Sequence, residues 1–337
     1  MRAVVFDAPR QVSLQDVADP DCAADDVVIR TRRAGLCGTD LHIFRDEYMS
    51  TFPLIPGHEF VGDIMEVGRD VTTFRAGQRV SVDPNLSCGR CVFCRNRRHN
   101  HCINWQGVGI NRSGAFAQYV TVPAAACYSV PDAMSDVQAA FIEPVSCVVH
   151  AMNRLNVAPG DAAVIFGAGP MGMLLIQALR HRGVETLVAV DKQVVRLSTA
   201  RDLGATATIE AGSDLPERLR SIAPHGFDIV VDATGVPEVI TRATELLGPY
   251  GRFLQFGVAP RDAVMTLRPY DVFRNDWTIL GSFALCYTFE QAIAWMNADV
   301  IDVNPLLSHC LPLEQFVTAL SDFERGETMK VHFSYDH

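Results

Sequence analysis

One stretch constrains this chain more than any other. Ala162–Phe166 is an apolar run of strand length, Gly167-Ala168-Gly169-Pro170-Met171-Gly172 follows the pattern G-x-G-x-x-G, Met173–Arg180 opens as a buried helix, and Leu187–Val190 is a second buried strand ending in Asp191. Such a glycine pattern arises often by chance. Set between a strand and a helix, with an acid about twenty residues on, it is the phosphate-binding turn of a dinucleotide fold. Its glycines let the backbone approach a pyrophosphate, whose charge sits against the helix N-terminus. Asp191 is expected to accept hydrogen bonds from the adenosine ribose hydroxyls and to repel a 2′-phosphate, which makes NAD the expected cofactor; Lys192 and Arg196 pull slightly the other way. Further strands at Thr206–Ile209, Phe227–Val231, Arg252–Phe256 and Thr278–Phe283 complete a six-stranded, doubly wound parallel sheet of the α/β class over residues 149–283. Ala162–Leu179 has the length of a membrane span, but the glycines, Pro170 and Gln177 within it fit strand, turn and helix instead.

The chain has 337 residues, 48% of them hydrophobic, so the remaining length suffices for a second core. That remainder carries a metal signature. Cys88, Cys91, Cys94 and Cys102 are spaced C-x2-C-x2-C-x7-C, and four thiolates so placed can close a tetrahedron around zinc within one lobe, residues 85–105. An iron–sulfur cluster also takes four thiolates, but the spacing fits neither common ferredoxin run. Four cysteines leave no open position, so this zinc is expected to be structural. Arg90, Arg95, Arg97, Arg98 and His99 make the lobe locally basic, yet 29 basic against 39 acidic residues give the chain a net charge of −10. That balance argues against nucleic acid or an anionic membrane as partner and favours small-molecule chemistry. Ten cysteines in a long chain whose first ten residues read as a strand, not a secretion signal, suggest thiols and metal ligands in a cytoplasmic protein.

A second, open site is suggested by Cys37-Gly38-Thr39-Asp40-Leu41-His42 and Pro56-Gly57-His58-Glu59, which place a thiol, an imidazole and a carboxylate in two turn-like segments. Each alone is as well explained by packing. Gly57-His58-Glu59 continues, however, as G-H-E-x2-G-x5-G-x2-V through Gly62, Gly68 and Val71. With the four-cysteine lobe and the glycine turn, this resembles the zinc-dependent medium-chain dehydrogenase/reductase family over essentially the whole chain. The resemblance implies a GroES-like, β-rich catalytic domain over 1–148 and 284–337 and a Rossmann NAD-binding domain between. It implies two zinc ions per chain, with Cys37 and His58 as ligands of the catalytic one and Glu59 as a direct or exchangeable ligand. Glu143, in Phe141-Ile142-Glu143-Pro144, matches the polyol-dehydrogenase branch, where simple alcohol dehydrogenases carry a cysteine; Cys147, four residues on, is the rival ligand. Cys22, Cys127, Cys147, Cys286 and Cys310 are otherwise expected to be small buried hydrophobes. Arg196 is implied to lie near the ribose, beside Gly167, Gly169, Pro170, Met171, Gly172 and Asp191.

An open zinc site and a nicotinamide fold on one chain imply hydride transfer from an alcohol, with Thr39 and His42 relaying the released proton. The resemblance to bacterial polyol dehydrogenases implies a secondary hydroxyl of a pentitol or hexitol oxidised to a ketose. Sorbitol dehydrogenases carry an arginine where this chain has Ser282-Phe283-Ala284-Leu285-Cys286-Tyr287, which favours an arabitol- or altritol-type substrate. Arg45 or Arg112 facing the substrate would instead favour a polyol phosphate. The competing readings are a threonine 3-dehydrogenase, a simple alcohol dehydrogenase, and a zinc- and NAD-binding protein without catalysis. A homodimer or homotetramer is expected, with Thr278–Phe283 as a pairing edge.

Overall fold

The computed structural model describes residues 1–335, and the chain divides into two compact units. The first comprises residues 1–146, 285–298 and 303 onward; the second comprises 147–284 with 299–302.

In the first unit, β1 (Arg2–Ala8) and β2 (Gln11–Asp16) form a hairpin whose turn holds Arg10 at φ 60°. There follow β3 (Asp26–Gly35), α1 (Gly38–Phe44), β4 (Glu59–Val67), β5 (Arg79–Val82), the short pair β6 (Asn85–Leu86) and β7 (Gln106–Gly107) with α2 (Val92–Arg95) between them, β8 (Tyr119–Pro123) and β9 (Cys127–Ser129). Two helices, α3 (Asp136–Ala140) and α4 (Ile142–Leu155), come next, and α4 carries the chain into the second unit. Strand alternation sends Val27, Ile29, Phe60, Ile64, Val80 and Val82 into one core. Its centre is aromatic: Phe116, Phe316 and Phe333 stand with ring centroids 4.8–5.5 Å apart.

The second unit is built from β10 (Ala162–Phe166), α5 (Pro170–His181), β11 (Thr186–Asp191), α6 (Val194–Asp202), β12 (Ala207–Glu210), α7 (Leu215–Ile222), β13 (Phe227–Asp232), α8 (Pro237–Ala243), β14 (Leu247–Gln255), α9 (Pro269–Arg274) and β15 (Thr278–Gly281). All six strands are parallel, in the order β12-β11-β10-β13-β14-β15. The chain runs outward from β10 in one direction and returns to the other side at β13. The crevice beyond the carboxyl ends of β10 and β13 is therefore the topological switch point, where such sheets bind ligands. Central strands are buried on both faces, which is why Val164, Ile165, Val188, Ala189 and Ile229–Val231 form continuous apolar runs. The last strand ends at Gly281, two residues short of the expected Phe283.

The chain then re-enters the first unit through α10 (Phe289–Asn297), makes the excursion 299–302, and closes with β16 (Leu307–Pro312), α11 (Phe316–Glu324) and β17 (Lys330–Ser334). The excursion is pinned by Gln177, buried in α5, whose side chain donates to the Asp302 carbonyl at 3.0 Å and accepts from the Asp302 amide at 2.7 Å. β17 inserts beside β3, completing a seven-stranded sheet with β16-β17-β3-β4-β5-β9 as its path and β8 also on β3. Among the described residues no helix is long and apolar enough to cross a membrane.

Candidate metal centres and nucleotide site

Cys37 caps α1. Its backbone amide donates to Asp40 Oδ2 at 2.9 Å, so the residue three positions on fixes the turn that presents the thiol. Asp40 is fully buried, and its Oδ1 lies 3.5 Å from His58 Nδ1. A carboxylate behind one ring nitrogen orients the imidazole and leaves the other nitrogen for a metal. Glu59, also fully buried, opens β4 next to His58. Ligand atoms of Cys37, His58 and Glu59 all lie within 4.8 Å of one another.

A buried set of this kind needs a cation. Glu59 Oε1 has no hydrogen-bond partner. Burial pulls the His58 imidazolium down, but the charges of Asp40 and Cys37 outweigh it and hold the ring well above its ordinary value, so the pocket attracts positive charge. Thiolate, imidazole and carboxylate are zinc donors, and three of them leave the fourth position for substrate.

One cation is supplied by the chain itself. Lys330, at the start of β17 and 4% exposed, forms an ion pair with Glu59 Oε2. Burial lowers its pKa, yet Glu59, Cys37 and Glu143 together hold it above the usual lysine value. Gly35 leaves room for this pair: a Cβ there would meet Glu59 Oε2 at 2.6 Å and Lys330 Cε at 3.1 Å. Neither residue stood out in the sequence as part of the site. Alternation in Lys330-Val331-His332-Phe333 carries the signal for Lys330, because it puts Lys330 and His332 on the face opposite Val331 and Phe333.

Glu143, in the first turn of α4 and 7% exposed, acts on Lys330 through its charge but falls outside the group of three. Cys147 is half-buried one turn later. Thr39 Oγ1 lies 3.7 Å from Cys37 Sγ, and His42, three residues along α1, holds Glu47 Oε2 at 2.8 Å through Nδ1 near the surface.

In the lobe, Cys88, Cys91, Cys94 and Cys102 also fall within 4.8 Å of one another. Cys91 Sγ lies 3.5 Å from Cys94 Sγ and 3.9 Å from Cys102 Sγ. Zinc–sulfur bonds of about 2.3 Å in a tetrahedron require sulfurs about 3.8 Å apart, so the spacing fits zinc. The Cys88 and Asn104 amides point at Cys102 Sγ at 3.3 and 3.4 Å. Amides of Arg90 and Cys91 pull the Cys88 thiol down to about 6, whereas burial and neighbouring sulfurs push Cys102 up to about 11. Four sulfurs this close do not all ionise until a metal replaces the protons. Trp105 packs on the cluster and donates to Asn85 Oδ1 at 2.9 Å.

The three glycines of the fingerprint differ. Gly167 has φ 98°, and a Cβ at Gly172 would lie 1.9 Å from the Gly167 carbonyl oxygen; both are required by the fold itself. Gly169, the N-cap of α5, has nothing within 4 Å of its missing Cβ, so its bareness serves close approach from outside. Pro170 and Met171 open the helix. Asp191 ends β11, 9% exposed, with Oδ2 accepting from the Ala168 amide at 2.7 Å and Oδ1 from the Gln193 amide at 2.8 Å, so it also ties the turn to its neighbour. Arg196 is half-buried on α6. Across the switch point, the buried Asp232, unremarked in the sequence, accepts from the amides of Thr234 and Gly235 at 3.1 and 3.0 Å and from Gln255 Nε2 at 2.8 Å. Its position at the end of β13 is the only sequence signal for it.

The expectation that the other cysteines are buried hydrophobes holds for Cys127 and fails elsewhere. Cys22 and Cys286, in loops, and Cys147, on α4, are half-buried, and Cys310, on the edge strand β16, is exposed.

Residues 23–132 match the alcohol dehydrogenase GroES-like domain, and residues 170–298 match the zinc-binding dehydrogenase domain. The chain is 34% identical over 340 residues to D-altritol 5-dehydrogenase of Agrobacterium fabrum, covering 99% of each. It is 30% identical to D-arabinitol dehydrogenase 1 of Uromyces fabae over 98% of this chain and 96% of the relative. It is 32% identical to L-threonine 3-dehydrogenase of Paraburkholderia phytofirmans over 95% and 94%. A zinc-binding dehydrogenase of Sinorhizobium meliloti bound to NADP superposes with a TM-score of 0.94 at 30% identity, over 99% of this chain and 98% of the other. An Escherichia coli alcohol dehydrogenase complexed with NADH does so at 0.93 and 27%, over 99% of each. The chain belongs to the zinc-dependent medium-chain dehydrogenase/reductase family, as an oxidoreductase with a GroES-like unit and a Rossmann unit.

Proposed function

We propose that this protein oxidises a secondary hydroxyl of a free sugar alcohol of the arabitol or altritol type to a ketose, passing hydride to NAD. The carrying observation is the open set of Cys37, His58 and Glu59, with Asp40 behind the imidazole and Lys330 behind the carboxylate. Zinc bound there supplies the Lewis acidity that acidifies an alcohol, and the nicotinamide supplies the hydride acceptor. The chain's own residues do the rest. Asp40 fixes the His58 ring, Lys330 limits how much negative charge Glu59 presents, and Glu143 stands beside them as the fourth candidate donor or as holder of a water. Thr39 accepts the alcohol proton at Oγ1 and passes its own onward. His42, on the same face of α1 and half-exposed, delivers it to water, with Glu47 holding the Nδ1 hydrogen.

The free polyol is favoured over its phosphate because both candidate arginines are already engaged: Arg45 with Glu324 at 2.8 and 3.0 Å, and Arg112 with Asp26 at 3.4 Å. Asp191 at the end of β11 supports NAD over NADP. A dimer or tetramer is supported by the uncovered edge at β15, where Ile279 is 39% exposed.

The test follows NADH formation by the zinc-loaded protein on free pentitols and hexitols, their phosphates, threonine and short alcohols, with NADP as control. Turnover on a free polyol with NAD is expected, lost in Cys37→Ser and His58→Ala while NAD still binds. Faster turnover on threonine would move the protein to the threonine 3-dehydrogenase reading, and silence on every alcohol would overturn the proposal.

A further inference from the structure

Outside both metal-ligand sets, a distant segment brings a thiol into line with an imidazole and a carboxylate that lie sixteen residues apart. Cys286 Sγ lies 3.4 Å from His99 Nδ1 and 3.3 Å from the Arg97 carbonyl oxygen. His99 Nε2 lies 3.6 Å from Asp83 Oδ2. Asp83 is itself held, with Oδ1 accepting from the Asn85 amide and side chain at 2.9 and 3.1 Å. The order is nucleophile, base and orienting carboxylate. Base and carboxylate are buried, 4% and 6% exposed, whereas Cys286 is only half-buried.

The surroundings hold this line in place. The Tyr287 ring centroid lies 4.1 Å from that of the imidazole, and the Arg97 guanidinium sits over the Tyr287 ring, 5.7 Å from its centroid. Three non-glycine residues that bracket the group, Arg97, Ala284 and Tyr287, have φ of 57°, 52° and 54°. Left-handed backbone at such residues costs about 1 kcal/mol or more each and persists only where surrounding structure dictates it. Burial raises the Cys286 thiol, but its hydrogen bond and charge interaction with His99 outweigh this and leave it below the ordinary cysteine value. Among the described residues, Arg97 and Cys94 act through their charge on Tyr287, and Tyr128 feels Asp83.

We propose that Cys286, with His99 as its base and Asp83 orienting the ring, is a reactive-thiol site whose substrate class is small hydroperoxides. The thiol proton passes to His99 Nδ1. Sulfur then attacks the terminal peroxide oxygen, a sulfur–oxygen bond forms, and the oxygen–oxygen bond breaks. The leaving alkoxide, or hydroxide where the substrate is hydrogen peroxide, takes the proton back from His99 and departs as alcohol or water. Sulfur loses two electrons to become a sulfenic acid, and the peroxide gains them.

The test treats the zinc-loaded protein with hydrogen peroxide in the presence of dimedone and maps the adducts by mass spectrometry. Cys310 is the internal comparator, being more exposed and 2.7 Å from the Arg33 guanidinium. The Cys286 adduct is expected to form at least about tenfold faster than the Cys310 adduct, to vanish in Cys286→Ser, and to form at least about tenfold more slowly in His99→Gln with zinc content unchanged. Equal labelling of Cys286 and Cys310, or undiminished labelling in His99→Gln, would overturn the proposal. If His99→Gln loses zinc, Asp83→Asn takes its place, with the same slowing expected and an unchanged rate equally fatal.

Discussion

Replacing Lys330 by methionine isolates the charge that stands behind Glu59. Methionine keeps most of the aliphatic stem, so packing in β17 is nearly conserved and the loss is electrostatic. Glu59 is fully buried and Lys330 is 4% exposed, so no water replaces the ammonium when it is removed. Breaking a buried pair by deleting one partner costs about 3–5 kcal/mol. That loss is expected in urea unfolding of the metal-free protein, followed by the combined fluorescence of Trp105, Trp277 and Trp295. Zinc-loaded protein should lose less, because a bound cation shares the compensation. The double variant Glu59→Gln/Lys330→Met should recover at least about 2 kcal/mol of the metal-free loss, because the uncompensated charge is gone. A metal-free loss under about 1 kcal/mol, or no recovery in the double variant, would refute the argument that Lys330 neutralises Glu59.

Two further outcomes test the second unit and the first core. Gly169→Ala, with open space at its Cβ, should leave the melting temperature unchanged and weaken NADH binding at least about tenfold by calorimetry, whereas Gly172→Ala, 1.9 Å from a carbonyl oxygen, should lower the melting temperature as well. Cys127 is pushed up to about 12 by burial, from an unfolded value of 9.0; the unfolded thiol loses its proton first, so stability is complete below pH 9 and falls as pH rises towards 12. Within that window the slope is about 1.4 kcal/mol per pH unit, and Cys127→Ala should flatten the alkaline limb of the stability curve by that amount.

The two strongest signals in the sequence were local. Four cysteines within fifteen residues and a glycine turn between strand and helix each contain their geometry in a short stretch, and both sets come together in space. Cys37, His58 and Glu59 converge as the family resemblance implied, but their supports were not legible. Asp40 reads as a helix-cap residue until His58 is placed against it. Lys330 lies almost the whole chain away from Glu59, and only the pairing of β17 with β3 brings them together. Gly35 looks like a strand end, although its missing side chain makes room for that ion pair. Gln177 seemed a blemish in an apolar run, yet it is the anchor of residues 299–302, a partnership that periodicity along α5 does not contain. Cys286 and His99 belong to the same class of long-range encounter.

The place of β17 in the sheet governs the order in which this protein can be made. Strand β3 is synthesised long before its neighbour β17, with residues 147–284 of the second unit in between. Residues 147–284 are therefore free to fold while the first unit still lacks one of its central strands. Until Lys330 arrives, the nascent chain holds Glu59 without its partner, and metal delivered at that stage meets an open, half-built sheet. Completion of the Cys37, His58 and Glu59 set with its buried cation consequently waits for β17, whereas the four-cysteine lobe, contained within residues 88–102, is available to metal as soon as that short stretch is made.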